Sequence, residues 1–266
     1  MDKRPIGIFD SGVGGLTVVK QVIKAMPGED TVYFGDTARV PYGSKSKETV
    51  TEFSRQIMRF LLKQDVKAVI IACNTVSSNS YHDLEAEFNI PIIEVVSPGV
   101  ESCLAVTKTN RVGVIGTAAT IKSGAYEHRL KAARPEIQVF QKSCPLFVPL
   151  AEEGFTENDI AKLTVKTYLK ELKDKNIDSL ILGCTHYPML KKTIGEYMGE
   201  EVKIVDPATE TAHKMKDFLE SRNMTSGKEK GSHIFYCSDN CSQFNMICNK
   251  NLGIQCRVHK ENAERY

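Results

Sequence analysis

No stretch of this 266-residue chain is long and apolar enough to span a bilayer as a helix, which takes about 20 consecutive apolar residues. Charge of one sign is not concentrated either. Lys and Arg number 35 against 33 Asp and Glu, a net charge of +2, and the two signs are interspersed. A nucleic-acid surface needs clustered basic residues, so neither a nucleic-acid nor a membrane partner is expected. The opening residues MDKRPIGIFDSG run almost at once into a strand-like segment. That leaves no room for a secretion signal and predicts a cytoplasmic protein. Cysteine, by contrast, is plentiful, with eight residues. Without an export signal these read as reduced thiols rather than a disulfide framework. Hydrophobic content of 41% and charged content of 26% are ordinary for a globular protein.

Short apolar, β-branched runs alternate with longer amphipathic stretches. Strands are predicted at Pro5–Phe9, Thr31–Phe34, Ala68–Ala72, Ile92–Val95, Arg111–Ile115, Ile137–Phe140, Ser179–Gly183, Val202–Val205 and His233–Cys237. Between them lie helical patterns such as Leu16–Ala25, Lys47–Lys63, Tyr81–Phe88 and Ile160–Lys173. Continuous apolar strands alternating with helices predict an α/β fold with parallel sheets covered on both faces. Ligands in such sheets sit beyond the carboxyl ends of the strands.

The chain also repeats itself. Ile6-Gly7-Ile8-Phe9-Asp10-Ser11 aligns with Val112-Gly113-Val114-Ile115-Gly116-Thr117. Val66–Thr75, ending Ala72-Cys73-Asn74-Thr75, aligns with Ile177–His186, ending Gly183-Cys184-Thr185-His186. The offsets, 106 and 111 positions, are similar enough to argue for duplication. Two pseudo-symmetric parallel-sheet α/β domains facing across a cleft are expected. Turn chemistry at Pro98-Gly99 and Asp206-Pro207 assigns residues 1–97 plus 208–266 to the first domain and 98–207 to the second.

Each repeat closes a buried strand with a cysteine followed by small polar residues and a helix start. Ser77, Ser78 and Asn79 are available caps in the first copy, and Pro188 suits a first helical turn in the second. An arbitrary buried Cys is usually inert packing. Recurrence at the functional end of equivalent strands favours chemistry instead. Two thiols on opposite walls of one cleft suit inversion of a stereocentre, one removing a proton as thiolate and the other delivering one as thiol. Competing uses fare worse. Neither cysteine stands in a Cys-x-x-Cys pair, and Cys184-x-His186 supplies too few ligands for zinc. No Arg lies within seven residues after either thiol, which weighs against a phosphate-cradling loop. Cys237, Cys241, Cys248 and Cys256 are irregularly spaced and read as ordinary packing.

Several neighbours are candidates. Asp10-Ser11-Gly12 leads into Gly14-Gly15 and a helix whose free amides suit a substrate carboxylate, although Thr17 breaks the dinucleotide pattern G-x-G-x-x-G. Asp10 suits an ammonium group or a thiol proton. Pro41-Tyr42-Gly43 is a turn placed beyond a strand end. Thr117 and Thr120 suit either helix capping or a carboxylate. His186 can tune a neighbouring thiol, and Glu152 reads first as a solvated acidic turn.

The blocks Asp10-Ser11-Gly12-Val13-Gly14-Gly15-Leu16-Thr17, Pro41-Tyr42-Gly43, Ala72-Cys73-Asn74-Thr75 and Gly183-Cys184-Thr185-His186-Tyr187-Pro188 resemble the glutamate racemases of the aspartate/glutamate racemase superfamily. The match runs from about residue 5 to 210. The resemblance implies interconversion of L- and D-glutamate for peptidoglycan with no cofactor and no metal, and a homodimer. On that pattern Cys73 takes the proton from D-glutamate and Cys184 from L-glutamate, assisted by Asp10 and His186. Ser11, Tyr42, Gly43, Asn74, Thr75 and Thr185 match substrate contacts; Asp36 and Glu152 match auxiliary positions. An aspartate or hydantoin racemase, or a non-catalytic amino-acid-binding protein, remains open at this point.

Overall fold

The computed structural model describes residues 1–266. Ten strands form in chain order: β1 Ile6–Asp10, β2 Thr31–Gly35, β3 Ala68–Ile71, β4 Ile92–Glu94, β5 Arg111–Gly116, β6 Gln138–Ser143, β7 Ser179–Gly183, β8 Lys203–Val205, β9 His233–Cys237 and β10 Arg257–Lys260. They make a six-stranded sheet ordered β10-β9-β2-β1-β3-β4 and a four-stranded sheet ordered β6-β5-β7-β8. Every ladder is parallel. The order β2-β1-β3-β4 recurs as β6-β5-β7-β8, so the weak sequence repeat is a repeat of topology. The register agrees: Ile8 pairs with Tyr33 and Ile70, as Val114 pairs with Gln141 and Ile181.

Both faces of each sheet are covered, as the near-continuous apolar strands require. Alternate residues of a strand point to opposite faces. In the first sheet Ile6, Ile8, Ala68 and Ile70 pack under the helices Leu16–Ala25 and Pro207–Ser221. Phe9, Val69 and Ile71 pack on the other face, under Lys47–Lys63. That helix shows why its sequence folds as it does. Ser46 caps its start by accepting from the Thr49 amide at 3.3 Å, and Val50, Ser54, Ile57 and Leu61 recur at helical spacing along its buried side. Each such fully buried aliphatic side chain contributes about 1.5–3 kcal/mol relative to exposure. In the second sheet Leu180, Leu182 and Cys184 face one core, and Val112, Val114 and Ile181 the other.

The structure adds what periodicity missed. β10 follows its turn with Arg257, Val258, His259 and Lys260, mostly exposed, so it carries no apolar run to mark it. No helix is long and apolar enough to cross a membrane. The distal cysteines, expected to be ordinary packing thiols, are buried or half-buried in the core; Cys248 and Cys256 are free thiols as expected, but the other two are bonded. Cys237 and Cys241 form a disulfide across the turn from β9 into the helix Cys241–Leu252, with Cα atoms 6.1 Å apart. Cys248 and Cys256 bring their sulfurs to 2.6 Å in the same core. Their uneven spacing hid this because a strand and a helix, not a short motif, bring them together. No group of three or more His, Cys, Asp or Glu stands close enough to hold a metal ion.

Candidate active site

The carboxyl ends of β1, β3, β5 and β7 converge where the two sheets meet. The switch in strand order between β1 and β3, repeated between β5 and β7, opens a crevice there. A cavity of about 290 Å³, its open mouth included, occupies that crevice. Ser11, Tyr42, Gly43, Cys73, Asn74 and Thr75 line it from the first half, and Thr117, Val148, Cys184, Thr185 and His186 from the second. Both thiols therefore border one space, and both are buried, at 4% and 6% exposure.

Cys73 ends the β3 run and is itself the N-cap of the helix Asn74–Asn79. Ser77, Ser78 and Asn79, expected as caps, lie inside that helix. Ser77 Oγ instead donates to the Ile71 carbonyl at 3.3 Å. The Cys73 thiol donates to Ser11 Oγ at 3.7 Å. Across the cavity, Cys184 Sγ lies 3.9 Å from His186 Nδ1, and His186 Nε2 lies 3.0 Å from Glu152 Oε1. The acidic turn read for Glu152 is thus the end of a short helix, Phe147–Glu152, whose carboxylate reaches the buried imidazole.

Asp10 does not line the cavity but lies beneath it, fully buried. Its Oδ2 accepts from the Gly12 and Gly15 amides, both at 3.0 Å, and its Oδ1 from Thr185 Oγ1 at 3.2 Å. Two of the glycine amides that the sequence offers to a substrate carboxylate, those of Gly12 and Gly15, are therefore already engaged by Asp10. Asp36 also stands behind the wall. It accepts from the Tyr42 hydroxyl, from Arg39 Nε at 2.6 Å and from Ser238 Oγ at 2.8 Å, which leaves it bracing Tyr42. Thr117 both caps the helix Ala118–Ser123 and meets Thr75, Oγ1 to Oγ1, at 2.9 Å; Thr120 stands behind them, outside the lining. Gly43 packs against Thr117 from the other side, where only a glycine fits, because a Cβ on it would stand 2.6 Å from Thr117 Cγ2.

The family model for Asp/Glu/Hydantoin racemase matches residues 6–215. A glutamate racemase of Geobacter metallireducens is 51% identical over 254 residues, covering 95% of this chain and 94% of its own. The chain belongs to the Asp/Glu/hydantoin racemase family. It is an amino-acid racemase. Among solved structures, a glutamate racemase isoform of Bacillus anthracis superposes with a TM-score of 0.96 at 35% identity, covering 98% of each chain. The Francisella tularensis glutamate racemase in complex with D-glutamate superposes with a TM-score of 0.93 at 40% identity over 100% of both.

The two thiol environments of this racemase differ electrostatically. Burial, reinforced by the negative charge of Asp10, pushes the Cys73 thiol up to about 12, so it holds its proton at neutral pH. Burial opposes charging His186, but the hydrogen bonds to Cys184 and Glu152 and the nearby Asp10 outweigh it and raise the imidazole to about 10. A positive ring thus stands beside the sulfur of Cys184. Sequence reasoning missed Tyr126, whose hydroxyl donates to Asn74 Oδ1 at 2.6 Å. A Tyr on an unremarkable helix gives no local signal of this. It also missed Val148, which lines the cavity from the helix that carries Glu152.

Proposed function

We propose that this racemase interconverts L- and D-glutamate by a two-base proton transfer in which Cys184 takes the α-proton from L-glutamate and Cys73 from D-glutamate. The observation that carries this reading is the pair of buried thiols bordering one small cavity from equivalent strands of the two halves. The D-glutamate complex of the Francisella relative supports glutamate as substrate. Cys73 holds a proton to deliver, while the charged His186, held by Glu152, stabilises negative charge at Cys184. Asp10 assists at Cys73. The α-carbanion has no cofactor to delocalise it, so the cavity must supply preorganised donors to the substrate carboxylate and exclude water. Ser11, Asn74, Thr75 and the Gly43 backbone fill that role, while Tyr42, Thr117 and Thr185, whose hydroxyls donate to Asp36, Thr120 and Asp10, shape the substrate-contacting wall beside them, with Asp36 and Thr120 bracing from behind.

In this reading the two sheets belong to two domains, 1–97 with 208–266 and 98–207. The product D-glutamate goes to peptidoglycan synthesis in the cytoplasm. The enzyme works as a homodimer, and Leu146, Phe155, Ile160 and Leu163 are exposed apolar side chains of the second half that a partner could cover; a monomeric mass by light scattering would remove that part.

The main test follows circular dichroism of each glutamate enantiomer with Cys73→Ala and Cys184→Ala in buffer free of metal and pyridoxal phosphate. Both variants should fold and neither should racemise either enantiomer. Near-normal racemisation of both enantiomers by either variant ends the two-base assignment. Aspartate turnover exceeding that of glutamate would change the substrate and keep the chemistry.

A further inference from the structure

Tyr126 belongs to the second half of the chain, on the helix Ala125–Ala133, and is 1% exposed. Its hydroxyl nevertheless crosses to the first half, with Asn74 Oδ1 as its one hydrogen-bond partner. The ring is wedged between two glycines. A Cβ on Gly183 would stand 3.1 Å from its Cε2, and one on Gly99 3.3 Å from its Cε1. Gly183 immediately precedes Cys184, and Asn74 immediately follows Cys73. One side chain therefore touches both segments that carry the thiols.

A consequence follows for the carboxamide. An Asn side chain has one acceptor oxygen and two donor hydrogens on its nitrogen. With Oδ1 engaged by Tyr126, the nitrogen is the end left for the cavity that Asn74 lines. An N–H donor there suits a carboxylate and cannot accept from an ammonium group. We infer that Tyr126 is a positioning residue: it holds the Asn74 carboxamide in the orientation that donates to the substrate carboxylate, and ties that donor to the half carrying Cys184. This rests on the glutamate racemase reading above. Burial, with Glu94 nearby, pushes the Tyr126 phenol well above its usual range, so its hydroxyl remains a donor.

The test is a double-mutant cycle of Tyr126→Phe, Asn74→Ala and the pair, with kcat and KM measured in both directions. Removing the hydroxyl while keeping the ring should raise KM about tenfold, roughly one hydrogen bond's worth, with kcat moving less than about threefold. If Tyr126 acts through Asn74, the double variant has the KM of Asn74→Ala alone, whereas an effect through packing would multiply with it. An unchanged KM in Tyr126→Phe, or multiplying effects, overturns the inference. Calorimetry with racemic glutamate on the same proteins reads the Asn74 contact without turnover. A wild-type protein that binds but does not racemise, with affinity falling in Tyr126→Phe, would sink the racemase reading and keep this one.

Discussion

Replacing Glu152 with Gln tests the electrostatics of the Cys184 side of the site. Glu152 Oε1 lies 3.0 Å from His186 Nε2, and His186 is buried with its imidazole raised to about 10. Glu152→Gln keeps the shape and removes the charge. A hydrogen bond between charged partners contributes about 1.5–3 kcal/mol. One pH unit corresponds to about 1.4 kcal/mol, so the His186 midpoint should fall by about one to two units. The raised value means that protonated His186 stabilises the folded state. That contribution is fully present below the unfolded value of 6.5 and is lost as pH rises through about 10. The stability difference between wild type and variant is therefore largest near pH 7, at about 1.5–3 kcal/mol, and vanishes above the wild-type midpoint. The assay is an NMR titration of the imidazole nitrogens in both proteins, paired with denaturant unfolding at neutral and alkaline pH. A midpoint unchanged by the substitution, or a stability gap that widens with pH, refutes the reasoning. Because the two enantiomers are equal in free energy, kcat/KM must match in both directions at every pH. Any asymmetry between Cys73 and Cys184 therefore appears only in kcat and KM taken separately.

Gly14→Ala places a Cβ against Thr185 Oγ1 and 2.6 Å from His186 Nδ1. Racemisation should fall at least about a hundredfold for a misplacement of this size beside the reacting groups, while thermal unfolding still shows a cooperative transition; near-normal turnover would show that the two side chains yield freely. Lys67, far from the cavity, is buried and pairs with Glu29 at 2.6 Å while donating to the Asp2 and Met224 carbonyls. Lys67→Met should cost about 3–5 kcal/mol in denaturant unfolding by leaving Glu29 uncompensated, with kcat at low temperature unchanged, and a loss below about 1 kcal/mol would show that Glu29 finds other relief.

Much of the fold was legible because buried parallel strands write themselves into the chain as continuous apolar runs. Ile6–Asp10 and Ala68–Ile71 stood out with ends shifted by one residue, and Ser179–Gly183 with its ends as expected. β10 was not legible, since an edge strand with exposed Arg257, His259 and Lys260 lacks that pattern. Cys73 and Cys184 could be singled out because duplication puts the same residue at the same place in each copy. The auxiliary residues were harder. Asp10 and Asp36 sit at strand ends as expected, but which of their oxygens face a ligand depends on neighbours far along the chain, Thr185 and Ser238.

The sequence by itself determined the alternation of elements, the doubling of the unit and the residue types at the strand ends, because each is a local or periodic property. Only the tertiary structure decided that both thiols share one cavity, that Glu152 reaches His186, and that Tyr126 of one half grips Asn74 of the other. These are contacts between residues dozens of positions apart, created when two sheets pack end to end, and no spacing rule within a single element encodes them.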